Sequence, residues 1–201
     1  MQLHKRDVVE AATSLLDNYG IADLSMRRLA RELDVSPSAL YWHFANKQQL
    51  LGAVADRILA PVGTDDSAAG DWRDRIVSTC GQLREALLSH TDGAELVSAS
   101  FAAGQSKVMS DVLDRLSTAA SEAGLAPANA ELAARTVVYY LLGFTADEQS
   151  RMQWDAAGAD VVRTVWTENP SARFAFGLRL LIDGIAAETE HVLEKTPKVR
   201  A

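Results

Sequence analysis

The chain has 201 residues, 48 % of them apolar and 23 % charged, which is the composition of a globular protein with room for one or two domains. Its formal net charge of −7 excludes a protein that coats nucleic acid without specificity, because such a protein would be basic overall. The single cysteine, Cys80, excludes an internal disulfide and any metal site made of several cysteines.

The charge is unevenly distributed along the chain. Acidic and basic residues are equal in number over residues 1–60, so that residues 61–201 carry the whole net charge of −7. If such a chain bound nucleic acid, we would expect it to do so only through the neutral N-terminal part, because the acidic remainder would repel phosphate and help to orient the protein.

Nothing in the sequence predicts a membrane span or an export signal. No apolar run reaches the ~18–20 residues that a membrane-spanning helix needs. The charged N-terminus, residues 1–7, is not followed by the apolar core of a signal peptide. We therefore expect a cytoplasmic protein with no membrane partner.

The first predicted element is an amphipathic helix from Lys5 to Tyr19. Its apolar stripe consists of Val8, Ala12, Leu15, Leu16 and Tyr19. Gly20 follows, and glycine commonly ends helices because it adopts the left-handed conformation without strain.

The next segment has the layout of a helix-turn-helix. Ser25 can cap a first short helix, since its hydroxyl accepts hydrogen bonds from the first turn. Asp34 and Val35 interrupt the helical pattern. Ser36 and Pro37 start a second helix, because the missing N–H of proline costs nothing at the first position. That helix carries Ala39, Leu40, Tyr41, Trp42, His43 and Phe44. Two short helices joined by a tight turn place the side chains of the second in the DNA major groove.

A third, longer helix is predicted after Asn46, with Gln49 three residues on as a partial capping box. Its apolar face consists of Leu50, Leu51, Val54, Ala55, Ile58 and Leu59. The helix ends near Pro61, and the polar, turn-rich residues 61–70 then form a joint between two parts of the chain.

Five further helices are predicted in the rest of the chain. They span residues 71–89, 92–102, 106–123, 131–149 and 169–193. The segment 131–149 is apolar nearly all round, which indicates a helix buried on more than one side. Since no segment alternates apolar and polar residues as a strand would, we expect an all-α fold.

Residues 25–47 resemble the DNA-binding motif of the tetracycline-repressor (TetR) family of bacterial regulators. The run Leu40–Phe44, followed by Asn46 and Lys47, is similar to the recognition helix of that family. The resemblance is close over the first sixty or so residues.

The rest of the chain resembles the family more weakly. Residues 87–94 and 142–149 are similar to the ligand-binding domain of the tetracycline-repressor subgroup. The resemblance implies a three-helix helix-turn-helix DNA-binding domain at residues 1–60, followed by a helical effector-binding and dimerisation domain at residues 61–201.

The function that the resemblance implies is that of a ligand-responsive transcriptional regulator, with repression as the default. It would bind a palindromic operator as a homodimer, with half-sites about one helical turn, ~34–36 Å, apart or a multiple of it. A small apolar or aromatic effector would favour a form with mis-spaced recognition helices, and the helix after Asn46 would act as the lever. The alternative is a DNA-binding protein without an effector, either a constitutive repressor or an architectural factor. No cofactor is expected.

The early positions of the recognition helix are small residues, which limits direct reading of bases to a hydroxyl and a methyl group. The resemblance implies that Tyr41 and His43 reach phosphates or bases, that Trp42 packs beside the backbone, and that Arg27 or Arg28 contacts phosphate. Two of the large side chains could instead belong to the core. The predicted DNA-binding residues are Ser25, Arg27, Arg28, Ser36, Pro37, Ser38, Ala39, Tyr41, Trp42, His43 and Lys47.

The resemblance to the tetracycline repressor does not extend to its metal chemistry. Val97 and Gly63 occupy the positions where that subgroup carries histidines, and Asp147 matches its metal-linked carboxylate. Without an imidazole a bound Mg²⁺ would lack its anchor, so we expect no metal site and an effector other than tetracycline.

An apolar cavity with a few polar contacts is expected in its place. The predicted effector-binding residues are Trp72, Leu83, Leu87, Ser98, Phe101, Gln105, Met109, Leu113, Tyr139 and Tyr140, and Ser100 is a further candidate for a polar contact. Each of these could equally be an ordinary core residue, since apolar residues at helical spacing usually pack in the core.

The excess apolar surface of the last two helices predicts a two-fold dimer built as a four-helix bundle. The predicted interface residues are Tyr140, Phe144, Phe174, Gly177, Leu178, Leu181, Gly184 and Ile185. The alternative is that both helices lie in the core of the monomer.

An enzyme is not expected. Cys80, His90 and Asp92 are near one another in sequence, as a nucleophile, a base and an acid would be. However, Cys80 lies within a helix, and nothing predicts a lowered thiol pKa or oxyanion donors around it. A small buried residue is the expected role of Cys80.

Overall fold

The computed structural model describes residues 3–63, 70–159 and 169–195, with the side chains of the last segment up to residue 189. Over these residues the chain forms nine α-helices and one short 3-10 helix, Ile21–Asp23, and contains no strand. The α-helices are α1 Lys5–Tyr19, α2 Met26–Glu32, α3 Pro37–Tyr41, α4 Lys47–Ile58, α5 Trp72–Leu88, α6 Gly93–Ala102, α7 Lys107–Glu122, α8 Pro127–Ala156 and α9 Pro170–Lys195. The expected all-α fold is confirmed. We call α1–α4 the head and α5–α9 the body.

The helix starts of the head follow the local chemistry of the sequence. The Ser25 hydroxyl accepts a hydrogen bond from the Arg28 N–H at 3.2 Å and caps α2. The Asn46 carboxamide accepts from the Gln49 N–H at 2.9 Å, and the Gln49 side chain accepts from the Ala45 N–H at 3.0 Å. Ser36 stands at the N-cap of α3, but its side chain makes no capping hydrogen bond.

The second helix of the motif, α3, is shorter than the sequence predicts. It ends at Tyr41 instead of continuing through Phe44, although the N–H groups of His43 and Phe44 still donate to the Leu40 carbonyl at 2.9 Å. The chain turns here because Phe44 is buried in the head and because Asn46 adopts an extended conformation to cap α4.

The apolar faces of the head meet in one core. Leu40 and Phe44 pack into it from beneath α3 and its following turn, together with the stripes of α1, α2 and α4. The buried hydrophobic side chains of the head and of the residues that follow it are Val8, Ala12, Leu15, Leu16, Leu24, Met26, Leu29, Ala30, Leu40, Phe44, Leu50, Leu51, Val54, Ala55, Ile58, Leu59 and Val62. This packing leaves the outer side of α3 facing solvent.

The body is a bundle in which α8 packs along α7 and also touches α5, α6 and α9. At 30 residues, α8 is longer than the predicted segment 131–149 at both ends, because Pro127 provides an earlier first position and the helix continues to Ala156. One face of α8 is buried, while Leu132 and Tyr139 on the other face are 63 % and 60 % exposed. The helix is therefore buried on only one side within the protomer.

None of the helices in the described parts of the chain is long and apolar enough to cross a membrane. Most of the predicted joint at residues 61–70 lies outside the described residues, which omit 64–69.

Candidate DNA-binding and effector sites

The outer side of α3 and the turn after it present the predicted DNA-reading residues to solvent. Trp42 is 90 % exposed, and Tyr41 is 52 % exposed. Two adjacent large aromatic side chains that are exposed together form an apolar surface patch, and such patches often mark a binding surface. Buried Leu40 and Phe44 on either side of them hold the segment in place from below.

The small residues at the start of α3 are also accessible. Ser36, Pro37 and Ser38 are exposed, and Ala39 is half-buried. His43, after the exposed aromatic pair, is half-buried as well. The predicted DNA-reading residues of α3 and the turn after it are therefore all at least partly accessible. Along the chain, the small side chains come first and the large aromatic ones follow.

The two arginines at the start of α2 have different surroundings. Arg27 is exposed, whereas the Arg28 guanidinium is hydrogen-bonded to the Asp23 carboxylate and lies 4.1 Å from the centre of the Tyr19 ring. The sequence predicts Arg28 as a phosphate contact, but it is already paired within the head. Of the two, Arg27 is the better placed to meet DNA.

Two lysines lie near the end of the recognition turn. Lys47 is exposed at the first position of α4, where helix N–H groups and the ammonium both favour a phosphate. The Lys5 ammonium lies 4.8 Å from the centre of the Phe44 ring. Sequence reasoning does not predict Lys5 as part of the surface, because only the fold brings the start of α1 beside this turn.

The ten predicted effector residues do not share one environment. Leu83, Leu87 and Met109 are buried, while Trp72, Phe101, Leu113 and Tyr140 are half-buried, and Ser98, Gln105 and Tyr139 are exposed. The structure brings Phe101 and Tyr139 together in an edge-to-face contact with ring centres 5.9 Å apart. Ser98 and Gln105, predicted as polar contacts inside a cavity, instead lie on the surface of the protomer.

Two buried hydroxyl groups lie in the body, and sequence reasoning predicts only one of them, Ser100, as a polar contact. Ser100 on α6 and Thr145 on α8 are 1 % and 0 % exposed, and among the described residues neither hydroxyl oxygen has a hydrogen-bond partner. Ser100 is two positions from Ser98, and such residues lie on nearly opposite sides of a helix. A buried polar group without a partner is costly and calls for an explanation.

The three positions that correspond to the metal chemistry of the tetracycline-repressor subgroup have other surroundings here. Val97 is buried among apolar side chains, and Gly63 uses its N–H and carbonyl on Gln82 and Arg115, at 2.7 and 3.3 Å. Asp147 is exposed and pairs with Arg151 at 2.8 Å. Within the described parts of the chain, no three histidine, cysteine, aspartate or glutamate residues gather to hold a metal.

The stripe of α9 predicted for the dimer interface packs inside the protomer instead. Phe174, Leu178 and Ile185 are buried, because α9 lays this stripe on α5 and α8. The Tyr140 hydroxyl donates to the Phe174 carbonyl at 2.9 Å and lies against Gly177.

The other predicted interface residues are less buried. Phe144 stacks at an angle on Phe174 with ring centres 5.5 Å apart, Leu181 is half-buried, and Gly184 is exposed.

A different set of apolar side chains is exposed on α8 and α9. Leu132, Tyr139, Phe176 and Leu180 are between 54 % and 63 % exposed. Between the two helices lies an open apolar groove of about 380 Å³, to which Leu132, Leu180 and Gly184 contribute. The groove shares Leu181, Gly184 and Ile185 with the predicted interface, whereas the four exposed side chains are not among the predicted interface residues.

The thiol of Cys80 is not a nucleophile. The residue is fully buried in α5, and burial raises the pKa of its thiol to about 12. The side chain therefore stays protonated and inaccessible, as expected of a small core residue.

Known proteins resemble the chain over nearly its whole length. Family models match it twice, as "Bacterial regulatory proteins, tetR family" at residues 8–54 and as "Tetracyclin repressor-like, C-terminal domain" at residues 64–166. The tetracycline repressor protein class A from transposon 1721 of Escherichia coli is 31 % identical, over 92 % of this chain and 91 % of that protein.

Two solved structures are more similar in sequence. The crystal structure of Mycobacterium smegmatis BioQ is 62 % identical with a TM-score of 0.86, over 92 % of this chain and 99 % of that one. A structure of BioQ with its natural double-stranded DNA operator is 59 % identical with a TM-score of 0.81, at the same coverage. The chain therefore belongs to the TetR family of bacterial regulatory proteins, which are transcriptional regulators and not enzymes.

Proposed function

We propose that this protein represses transcription by binding a palindromic operator as a homodimer. The observation that carries the proposal is the 90 % exposure of Trp42, beside exposed Tyr41 on a turn anchored by buried Leu40 and Phe44. The solved complex of BioQ with its DNA operator supports it, since that protein is 59 % identical to this chain. As a DNA-binding regulator it would work in the cytoplasm.

In this proposal the outer side of α3 enters the major groove. Ser38 and Ala39 offer a hydroxyl and a methyl group to base edges, and Pro37 precedes them. Tyr41, Trp42 and His43 contact the sugar–phosphate backbone. The positive charges of Arg27 and Lys47 lie on either side of α3 and attract the phosphates. Ser25 and Ser36 stand at the starts of α2 and α3. Arg28 stabilises α2 by its hydrogen bond to Asp23 within the head.

The dimer would form through α8 and α9. We assign the interface to exposed Leu132, Tyr139, Phe176 and Leu180, and to the groove between the helices. An apolar surface of this kind on a protein that binds a two-fold symmetric site is best explained by a second copy of the chain. We place the boundary between the two domains after residue 60, two residues beyond the end of α4.

The effector is proposed to be a small apolar or aromatic molecule that enters the body near α6 and α8. The buried hydroxyls of Ser100 and Thr145, without partners among the described residues, would orient a polar group on it. A regulator without an effector is the alternative. An apolar ligand that raises the melting temperature of the protein and also releases it from DNA would support the effector proposal. If a broad library contained no such ligand, the alternative would be favoured.

The DNA-binding proposal is tested with purified protein and a pool of randomised duplex DNA. Sequencing of the retained duplexes is expected to reveal a palindrome with half-sites about one helical turn apart or a multiple of it. Binding to that palindrome is then compared between Trp42→Ala and Trp154→Ala. Trp154 is also exposed, at 62 %, but lies at the far end of α8.

We expect Trp42→Ala to weaken operator binding at least tenfold, by analogy with other exposed anchors at the centre of an interface. Trp154→Ala is expected to bind like the wild type. The proposal is wrong if no palindrome is enriched even at low salt, where phosphate contacts are strongest. If the two variants bound the operator equally well, Trp42 would not be part of the DNA-binding surface.

A further inference from the structure

The start of α1 lies beside the turn that follows α3, although the two are far apart in sequence. The Lys5 ammonium lies over the ring of Phe44, 4.8 Å from the ring centre. Phe44 is only 1 % exposed and follows the exposed aromatic pair Tyr41 and Trp42 along the same turn. The fold therefore adds a cation to the edge of the DNA-reading surface, from a helix that does not belong to the helix-turn-helix.

The basic side chains of the head differ in whether a carboxylate already neutralises them. The Arg6 side chain pairs with Glu10 at 3.6 Å, and Arg28 is paired within the head. Among the described residues, no carboxylate pairs with Lys5 or Lys47. Both lysines are therefore available to an anion that approaches from outside the protein.

The carboxylate nearest to Lys5 in sequence is engaged elsewhere. Asp7 accepts a hydrogen bond from the His4 N–H at 2.9 Å and so caps the first turn of α1. The Asp7 side chain is half-buried, whereas Lys5 is exposed. The positive charge of Lys5 thus faces solvent without a counter-charge from its own helix.

The ring of Phe44 restricts the positions that the ammonium can take. The face of an aromatic ring attracts a cation, and this ring is itself fixed in the core of the head. A free lysine side chain loses rotamer freedom when it binds, so a lysine that is already held in place binds at a lower entropic cost. An ammonium is a compact charge with three hydrogen-bond donors, which suits a phosphate oxygen.

We propose that Lys5 is a further DNA-contacting residue, whose ammonium, held over the ring of Phe44, binds a phosphate of the DNA backbone beside α3. Such a contact carries no sequence information, but it fixes the register of the protein on the duplex. Phe44 is then a positioning residue, which acts through Lys5. The inference rests on the proposed function as an operator-binding dimer, in which each protomer supplies one of these contacts.

Three variants separate the charge of Lys5 from its shape and its place on α1. Lys5→Gln removes the charge, whereas Lys5→Arg keeps the charge and can still stack on the ring. Arg6→Gln is the matched control, because it removes the same charge one position further along the first turn. The Arg6 side chain is 80 % exposed and is directed to Glu10.

The first measurement is the affinity for the selected palindrome at several salt concentrations. Each phosphate contact contributes about 0.9 to the slope of the logarithm of affinity against the logarithm of salt concentration. Because a dimer would lose two contacts, we expect Lys5→Gln to reduce this slope by about 1.8, and the affinity at ~0.1 M salt at least tenfold. Lys5→Arg and Arg6→Gln are expected to keep the wild-type slope. A variant that is merely less stable would show a lower melting temperature with an unchanged slope.

The second measurement locates the phosphate. The phosphates of the palindrome are ethylated at random, and the duplexes that still bind are separated from those that do not. We expect ethylation at one phosphate of each half-site to prevent binding of the wild type and of Lys5→Arg, but to make no difference to Lys5→Gln. Lys47→Gln should become insensitive to ethylation at a different phosphate.

The role of Phe44 is tested by Phe44→Leu, which keeps an apolar side chain in the core and removes the ring. We expect Lys5→Gln to reduce the affinity by a smaller factor in this background than in the wild type. An equal factor in both backgrounds would show that the ring does not position the lysine.

The inference and the proposed function can fail separately. An unchanged salt slope in Lys5→Gln, or an equal reduction in Arg6→Gln, would overturn the inference and leave the proposed function intact. A wild type that selects no palindrome would contradict the proposed function, and the salt slopes on a duplex of unrelated sequence would then decide the role of Lys5. A wild type that binds no duplex at low salt would overturn both.

Discussion

Gly52 is the residue at which α4 comes closest to the body. Glycine within a helix costs roughly 0.5–1 kcal/mol relative to alanine, so its presence in α4 calls for a steric reason. The reason is the carbonyl group of Gln105, whose oxygen would overlap a Cβ atom at this position. The side of α4 facing the body must therefore carry no side chain here.

We predict that Gly52→Ala destabilises the protein, whereas Gly81→Ala stabilises it. Gly81 lies in the middle of α5, with nothing within 4 Å of the position that a Cβ atom would take. Alanine there raises the free energy of unfolding by about 0.5–1 kcal/mol, because its helix propensity is higher than that of glycine. At Gly52 the added methyl group must push α4 from the backbone, at a cost of about 1–3 kcal/mol. Urea denaturation of both variants measures the two free energies of unfolding, and a stabilised Gly52→Ala would disprove the close contact.

Some features of single residues could be predicted from the sequence, and others could not. The caps at Ser25 and Asn46 were predictable, because their partners are three residues away along the chain. The pairing of Arg28 with Asp23 was missed, because family resemblance assigned the arginine to phosphate. Ser98 and Ser100 were both predicted as polar contacts of a cavity, but only Ser100 is buried, since helical phase within a short apolar segment is ambiguous until its neighbours are known.

At the scale of whole elements, α9 is fixed by a cluster built around one ion pair. Arg84 on α5 meets Glu148 on α8, with a shortest distance of 2.6 Å, and its guanidinium lies 5.1 Å from the centre of the Phe174 ring on α9. The two charged side chains are only 13 % and 9 % exposed. Three helices thus depend on a pair that is nearly removed from water.

We predict that Glu148→Ala lowers the free energy of unfolding by about 3–5 kcal/mol, because it leaves the Arg84 charge buried without a partner. Asp147→Ala, one position away, is the control. Its pair with Arg151 is 36 % and 56 % exposed, and surface pairs contribute about 0–1 kcal/mol. Chemical denaturation compares the two variants, and similar losses for both would show that the Arg84 pair does not stabilise the bundle.

The elements themselves were predictable to different degrees. The existence of each helix followed from apolar spacing and caps, and even the breaks at Gly20 and Asp34 were marked by residues that adopt a positive φ. The lengths of α3 and α8 could not be predicted. The end of α3 depends on the burial of Phe44, and both ends of α8 lie in segments without a strong apolar pattern. Which side of α9 faces its own protomer depended on packing against α5 and α8, which no local signal reveals.

At the scale of the whole molecule, operator binding requires that two heads be held at a fixed separation. The body supplies this through α8, which contacts α6 and α7 beneath the head and exposes Leu132 and Tyr139 on its other side. The head sits on the same bundle through two hydrogen bonds, which the Ile21 N–H donates to Asp92 and the Ser106 hydroxyl donates to Asp56. The surface proposed for the dimer and the contacts that orient the head therefore belong to one connected set of helices.

We predict that Leu180→Glu converts the dimer to a monomer. Leu180 is 55 % exposed beside the apolar groove between α8 and α9, so two copies would each bury a carboxylate opposite its partner at the two-fold interface. A stable interface needs about 1,200–2,000 Å² of well-packed surface, which such a charge would disrupt. Val77→Glu is the control, because Val77 is 51 % exposed on α5, outside the proposed interface.

Sedimentation equilibrium is expected to give the dimer mass for the wild type and Val77→Glu, and the monomer mass for Leu180→Glu at the same concentration. Because a monomer contacts only one half-site, Leu180→Glu should also lose binding to the full palindrome much more than binding to an isolated half-site. The melting temperatures serve to exclude unfolding as the cause. If Leu180→Glu remained a dimer, the interface would have to lie elsewhere, and the exposed apolar side chains of α8 and α9 would need a different partner.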